Sequence, residues 1–205
     1  MTRVAGIILC GGRSSRMGRP KAWLPFGDEL MLPRVVRLLG EVVSPIVVVA
    51  APGQDVPPLP ADIEIVRDER EGQGPLQGLL AGLTALDGRA DAAYLSSCDV
   101  PFLRPAFVRR MIELLGDADV CVSRVGEYHH PLAAVYRAGV RAAVERLLAE
   151  GRLRPVFLFE AVPKRVVAAD ELSDADPTFS SLRNLNTPAE YEAALAEGGP
   201  GGATP

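Results

Sequence analysis

The sequence predicts an α/β fold: a single three-layer α/β/α domain around a mostly parallel sheet. Three observations predict it. Short apolar runs without polar alternation recur along the chain, as strands buried on both faces do. Longer stretches with helical spacing of apolar residues separate them. The glycine-rich and acidic segments fall just after strands, at the carboxyl edge where open α/β sheets hold their ligands.

In chain order, Val4–Leu9 is the first strand, and Leu32-Pro33 opens a helix through Leu39, with Pro33 tolerated in its first turn. Ile46–Ala50 is a second, Val-rich strand, and the Pro-rich segment Ala51–Pro60 is a loop. Ile63–Val66 is a short strand, Arg67–Pro75 a polar loop and Leu76–Leu86 a helix. Ala92–Ser96 is a strand ending at Ser97-Cys98-Asp99, and Pro105–Leu115 the next helix. Asp119–Ser123 and Leu132–Tyr136 read as strands around a polar turn, Arg124–Pro131. Ala138–Glu150 is an amphipathic helix, with Val140, Val144, Leu147 and Leu148 at helical spacing. Pro155–Glu160 suits either a helix or a strand; Lys164–Ala168 and Leu182–Asn186 read as strands and Pro188–Leu195 as a last helix. Residues 1–197 then form the domain, and 198–205 a disordered Gly/Pro tail with nothing to bury.

Composition narrows the function classes. With 48% hydrophobic and 23% charged residues, the 205-residue chain has the makings of a soluble globular domain with a continuous core. A net charge of −4 argues against a general nucleic-acid binder. No apolar run approaches a membrane span, and Val4–Leu9 leads into a polar loop rather than a cleavage site, so the cytoplasm is the expected location. Cys10, Cys98 and Cys121 are odd in number and lack metal-ligand spacing; they read as small buried hydrophobes and not as nucleophiles. Of 22 Lys plus Arg, only Lys21 and Lys164 are lysines.

Lys21 closes the most informative segment, Leu9-Cys10-Gly11-Gly12-Arg13-Ser14-Ser15-Arg16-Met17-Gly18-Arg19-Pro20-Lys21. Gly11 and Gly12 let main-chain N–H groups approach an anion, and Arg16 and Lys21 bring two cations to the same place. The spacing is neither a Walker A loop, because Ala22 and Trp23 follow Lys21, nor a dinucleotide fingerprint, because the gaps to Gly18 are wrong and Arg19-Pro20 interrupts a helix. A nucleoside triphosphate is the ligand such a loop suits. Asp99, in Ser97-Cys98-Asp99-Val100-Pro101, reads alone as a helix cap, and beside the phosphate loop as a ligand for a hard cation. Gly74-Pro75-Leu76-Gln77-Gly78 reads as a plain helix start or as backbone on which a flat ligand lies. Asp68 opens the charged run Asp68-Glu69-Arg70-Glu71 and reads equally as a solvated residue or a nucleotide contact.

These motifs, in this order, resemble the nucleotidyltransferases that activate sugars and cofactors, and most closely the molybdenum cofactor guanylyltransferases. The resemblance runs from Gly6 to about Leu195 and implies a Rossmann-like sheet of the nucleotide-diphospho-sugar transferase type. It implies transfer of GMP from GTP to molybdopterin, with Mg²⁺ as cofactor. It further implies molybdenum-cofactor delivery or acceptor proteins as partners, and neither nucleic acid nor membrane. By this resemblance Arg16, Lys21 and Asp99 are catalytic and Asp99 is the metal ligand. Leu9, Cys10, Gly11, Gly12, Lys21, Asp68, Gly74, Pro75, Leu76, Gly78 and Asp99 would contact the nucleotide. Asn184 and Asn186, in Asn184-Leu185-Asn186-Thr187-Pro188, resemble a family element beside the metal or acceptor; Thr187-Pro188 is also a good helix cap by itself. His130, in His129-His130-Pro131-Leu132, would face the acceptor by the resemblance, although the residues by themselves favour an exposed turn.

The chain departs from the family pattern at three places. Cys10 stands where Ala is common, Ala50 and Ala51 occupy the region of a nucleotide-contacting Asn, and Pro20 precedes the lysine where Asp is usual. Arg19-Pro20-Lys21 is also similar to the sister cytidylyltransferases. Molybdopterin cytidylyltransferase, a sugar-phosphate nucleotidyltransferase and a non-catalytic nucleotide-binding relative are the alternatives.

Overall fold

The computed structural model describes residues 2–11, 19–68 and 72–198. Strand β1 (Val4–Leu9) is followed by a short hairpin, β2 (Pro25–Phe26) and β3 (Glu29–Leu30), and by α1 (Met31–Gly40). Next come β4 (Ile46–Ala50), β5 (Glu64–Arg67), α2 (Gly74–Ala85), β6 (Ala92–Ser97) and α3 (Pro105–Glu113). β7 (Val120–Val125) and β8 (Tyr128–Arg137) form a hairpin; α4 (Arg141–Ala149), α5 (Pro155–Ala161), β9 (Lys164–Val167) and α6 (Pro188–Gly198) complete the order.

Seven strands form one sheet in the order β5-β4-β1-β6-β8-β7-β9. Only β8 runs against its neighbours β6 and β7; every other pairing in this sheet is parallel. Side chains alternate between faces, so Ile8 joins the core under α1 and α3 while Ile7 joins the core under α2, α4 and α5. Both isoleucines are fully buried, each contributing about 1.5–3 kcal/mol relative to exposure. A third, smaller cluster of Leu24, Phe26, Met31, Leu185 and Ala194 packs α6 onto the β2–β3 hairpin. A Rossmann-like, mostly parallel sheet between helical layers is therefore the observed fold.

Several expectations are corrected. Leu182–Asn186 is not a strand: a 3-10 turn covers Ser180–Leu182, and the chain then crosses the carboxyl ends of the strands with Leu185 N–H donating to the Asp99 carbonyl at 3.0 Å. Both ladder edges of β6 are already occupied, by β1 and β8, so this segment has no strand to join. The polar stretch Arg124–Pro131 is mostly strand, with its turn confined to Gly126 and Glu127. Val122 pairs with Ala134 but Ser123 pairs with His130, so Pro131 falls in a bulge where its missing N–H costs no ladder bond. Ala138–Glu150 splits into a 3-10 turn, Ala138–Val140, and α4. Pro155–Glu160 is helical, within α5. Gly198 is the last residue of α6 and sits against Phe26 and Phe102, so it is not part of a loose tail; residues 199–205 lie outside the described residues.

Helix α2 approaches β1 so closely that a side chain would collide. A Cβ at Gly82 would lie 2.6 Å from Ile7 Cγ2, and one at Gly78 would lie 2.8 Å from Leu9 Cδ2. Gly82→Ala is expected to lower stability by about 1–3 kcal/mol in urea unfolding, as overpacking does. Gly139→Ala, where the added methyl meets nothing within 4 Å, should stay within about 0.5 kcal/mol of the parent. Equal stability of the two variants would contradict this account of the α2–β1 contact.

Candidate active site

From β1 the chain passes through α1 to β4 on one side, whereas β6 lies on the other. In a doubly wound sheet such a reversal leaves a crevice between the two strands at their carboxyl ends. A cavity of about 770 Å³ opens there. Its walls come from the ends of β1 (Leu9, Cys10, Gly11), β4 (Val49, Ala50, Ala51) and β6 (Ser97, Cys98, Asp99), from the start of α2, and from Lys21, Leu132, Asn184 and Asn186.

One half of the cavity is charged. Lys21 begins a 3-10 turn, Lys21–Trp23, whose Ala22 is buried in the core; this anchors the backbone from which the lysine reaches inward. Lys21 Nζ donates to Asp99 Oδ2 at 2.6 Å and to Asn186 Oδ1 at 2.8 Å. Asp99 is only 7% exposed. A carboxylate so far out of water needs a cation or several donors, and it has both. Its Oδ1 accepts from Ser97 Oγ at 2.6 Å and from Asn184 Nδ2 at 2.7 Å. Asn186 is held from behind: Glu190 accepts the N–H groups of Asn186 and Thr187 at 2.7 and 2.9 Å, and Thr187 Oγ1 accepts the Glu190 N–H at 3.2 Å. That reciprocal pair is a capping box at the start of α6, with Pro188 in its first turn.

The other half is mostly neutral and rich in backbone, with Asp68 as its charged side chain among the described residues. Gly72 and Gly74 take φ of +86° and +73°, a left-handed conformation that favours glycine, and Pro75 then opens α2. Gly11 lies so near Ala51 that a Cβ there would be 3.3 Å from the Ala51 nitrogen. Gln54 ties these ends together, accepting from Ala51 N–H at 3.0 Å and donating to the Cys10 carbonyl at 3.0 Å. Arg67 braces the same loop through the Gln54 carbonyl at 2.6 Å. Asp68 follows, its N–H donating to the Ala50 carbonyl at 2.9 Å.

Of the residues singled out in the sequence, the cavity brings together Leu9, Cys10, Gly11, Lys21, Asp68, Gly74, Pro75, Gly78, Asp99, Asn184 and Asn186. Leu76 does not join them; it is buried under α2 against the sheet. His130 stands in β8 and lines a neighbouring cavity of about 150 Å³ that shares Leu132 and Asn184 with the main one. Burial and the nearby His129 hold His130 below the usual imidazole range, so it is neutral at pH 7. Gly12 and Arg16 lie outside the described residues. Ser97, Val49, Gly72 and Leu132 line the main cavity without having been singled out in the sequence. A hydroxyl two residues before the acid, at the very end of its strand, was the available signal for Ser97.

The thiols of Cys10 and Cys98 meet where β1 and β6 end. A hydrogen bond from Cys98 is the main reason the Cys10 thiol is held below its ordinary value, while the same contact and burial push Cys98 well above it. Burial pushes Cys121 up to about 12. The thiolate is the nucleophile, so iodoacetamide at pH 7.5 is expected to label Cys10 first, and a ligand filling the cavity should slow that labelling. Peptide mapping that found Cys98 or Cys121 modified first would contradict the assignment. Glu190 gives a pH test. The Asn186 N–H, and then that of Thr187, hold its carboxyl below the usual carboxylate range. Its stabilisation is therefore full above the ordinary carboxylate pKa and is lost as pH falls through the lowered value. The melting-temperature difference between the parent and Glu190→Ala should be largest near neutrality and shrink in acid.

The model of the MobA-like NTP transferase domain matches residues 6–165. A probable molybdenum cofactor guanylyltransferase of Pelotomaculum thermopropionicum is 35% identical over 191 residues, covering 93% of this chain and 91% of that protein. One from Mycobacterium avium is 36% identical over 196 residues, covering 93% and 94%. Among solved structures, molybdopterin-guanine dinucleotide biosynthesis protein A from Archaeoglobus fulgidus superposes with a TM-score of 0.76 at 20% identity, over 95% of this chain and 97% of that one. The 2-C-methyl-D-erythritol 4-phosphate cytidylyltransferase of Thermus thermophilus gives 0.68 at 14% identity, over 96% and 98%. The two structural likenesses bear on the fold alone; the family model and the relatives go further, and by them the chain belongs to the MobA-like nucleotidyltransferase family.

Proposed function

We propose that this enzyme transfers GMP from GTP to the terminal phosphate of molybdopterin, releasing pyrophosphate. The observation that carries the reading is the convergence of Lys21, Asp99 and Asn186 on one point beside a cavity whose other half is mostly neutral backbone. The neutral half suits a purine and ribose. N–H and C=O groups around Gly74 and Ala51 offer donors and acceptors to a guanine edge, and Asp68 adds a partly buried carboxylate as a further acceptor. The charged half suits a triphosphate. In the reaction a phosphate oxygen of the acceptor attacks the α-phosphorus as the bond to the bridging oxygen of pyrophosphate breaks. Lys21 offsets the charge gathering on the phosphate oxygens, and the N–H of Gly11 adds a fixed dipole. Holding two polyanions in line is most of the task, and no protein nucleophile is needed. The acceptor would approach from the side of Asn184, His130 and Leu132, where the smaller cavity shares Leu132 and Asn184 with the main one.

The residues fit magnesium. A cationic nitrogen already lies between two oxygen donors, Asp99 Oδ2 and Asn186 Oδ1, and hard oxygen ligands are what this ion selects. Among the described residues no group of three or more His, Cys, Asp or Glu side chains forms a complete metal cage, so the remaining ligands would be phosphate oxygens and water. Bound there, the ion would supply charge neutralisation on the triphosphate.

Calorimetric titration with GTP and with CTP, each with Mg²⁺, tests the base. Tighter binding of GTP is expected; tighter binding of CTP would overturn the guanylyl assignment. Two substitutions test the charged half. Lys21→Ala should weaken GTP binding by about tenfold or more, as loss of a charge-assisted contact does, while the chain stays folded. Asp99→Ala should abolish magnesium-dependent pyrophosphate release. Turnover with unchanged metal dependence in that variant would exclude Asp99 as the ligand.

A further inference from the structure

Asp99 presents its two carboxylate oxygens to different surroundings. Oδ2 faces Lys21, among the described residues the one cation in contact with it. Oδ1 is closed off by a ring of three hydrogen bonds. Ser97 Oγ donates to it at 2.6 Å, Asn184 Nδ2 donates to it at 2.7 Å, and the same amide donates to Ser97 Oγ at 2.9 Å. Ser97 is 7% exposed and is the last residue of β6, in register with Leu9 of β1, so its hydroxyl is fixed by the sheet. Asn184 lies in the crossing segment, which among its described backbone bonds touches β6's end only through Leu185 N–H to the Asp99 carbonyl. Of the two donors, the serine is the one built into the rigid frame.

We propose that Ser97 is a positioning residue for the Asp99 carboxylate: with Asn184 it occupies Oδ1, so that a cation meets Oδ2 alone. The inference rests on the reading of Asp99 as a metal ligand. Two donors on one oxygen stop rotation of the carboxylate and prevent both oxygens from closing on one ion. That leaves a monodentate ligand aimed at the point between Asp99 and Asn186 where Lys21 Nζ now lies. A short bond from hydroxyl to carboxylate is charge-assisted and stronger than a neutral one. Groups that hydrogen-bond a ligating carboxylate typically change metal affinity by about 10–100-fold. Alanine at position 97 removes one lock and leaves the amide alone to hold Oδ1.

The test is titration of the full chain with Mn²⁺, free ion being read by electron paramagnetic resonance, alongside GTP binding measured without metal. Ser97→Ala is expected to weaken Mn²⁺ binding by about tenfold. The variant should stay folded, with a metal-free affinity for GTP within twofold of the parent, and Ser97→Thr, which keeps the hydroxyl, should restore Mn²⁺ affinity. Asp99→Asn serves as the reference. If it abolishes Mn²⁺ binding while Ser97→Ala stays within twofold of the parent, the role of Ser97 is refuted and that of Asp99 stands. If Asp99→Asn binds Mn²⁺ like the parent, the metal reading falls and the role of Ser97 with it. Equal losses of Mn²⁺ and metal-free GTP affinity in Ser97→Ala would also refute it, because they would mean a distorted cavity.

Discussion

The contact between Lys21 and Asp99 is the constraint around which the site is organised. A carboxylate at the end of a buried strand carries a desolvation cost of several kcal/mol unless charge and donors meet it. Here they arrive from positions far apart in the chain: the ammonium from 78 residues upstream, the amide of Asn184 from 85 residues downstream. Only the reversal of winding at β1, from which the chain goes on to β4 on one side while β6 lies on the other, puts those loops on the same spot. The same reversal aligns the cysteines that end the two strands, whose buried thiols fill the floor between the glycine loop and the acid.

Getting Asn184 and Asn186 to that spot is the work of the third hydrophobic cluster. The intervening Leu185 is fully buried against Leu24, Phe26, Met31 and Ala194, so the residues on either side are free to face the cavity. Tyr191 adds a hydroxyl bond to the Pro25 carbonyl, tying α6 to the same hairpin. Helix α6 and the β2–β3 hairpin thus contribute nothing to the main sheet and a great deal to the position of two amides. The opposite wall is made differently. There Gly78 and Gly82 draw α2 down onto β1, and that close approach brings the helix start to the cavity edge beside Leu9.

How much of this was legible in the sequence depended on whether the signal was local. The strands of the parallel half were legible because apolar runs such as Ile46–Ala50 tolerate no other reading. Gly11, Lys21 and Asp99 were legible as a group, because a glycine, a cation and an acid in the loops after strands point to one site, and the cavity brings them together. Leu182–Asn186 was misread because its apolar and polar residues alternate as in a strand; what denied it a ladder was the pairing of β6 on both edges, which no local pattern records. The β7–β8 hairpin was misread for the opposite reason. Its polar residues sit on a projecting strand pair, with Tyr128 75% exposed, where water and not a second layer covers the side chains. Ser97 went unnoticed because a serine at a strand end is ordinary until its partner from the far end of the chain is known. Leu76 was assigned to the ligand from its motif, but helical geometry turns it inward, and the exposed backbone around it is what faces the cavity.

The two halves of the cavity therefore depend on different parts of the molecule. The neutral half hangs on the central sheet and α2, whose clusters hold most of the buried apolar surface. The charged half hangs on a short 3-10 turn and on a crossing segment kept in place by a small cluster of five buried residues and a capping box. Segments with few buried contacts open at lower free energy than the global core. Loosening α6 would release the Asn184 amide from Asp99 before the sheet was disturbed, and would leave Lys21 and Ser97 as the remaining described partners of the carboxylate. Division of labour of this kind lets a rigid sheet carry the shape of the cavity while a lighter structure carries its charge. It also places the smallest of the three described hydrophobic clusters directly behind the residues that hold the Asp99 carboxylate in register.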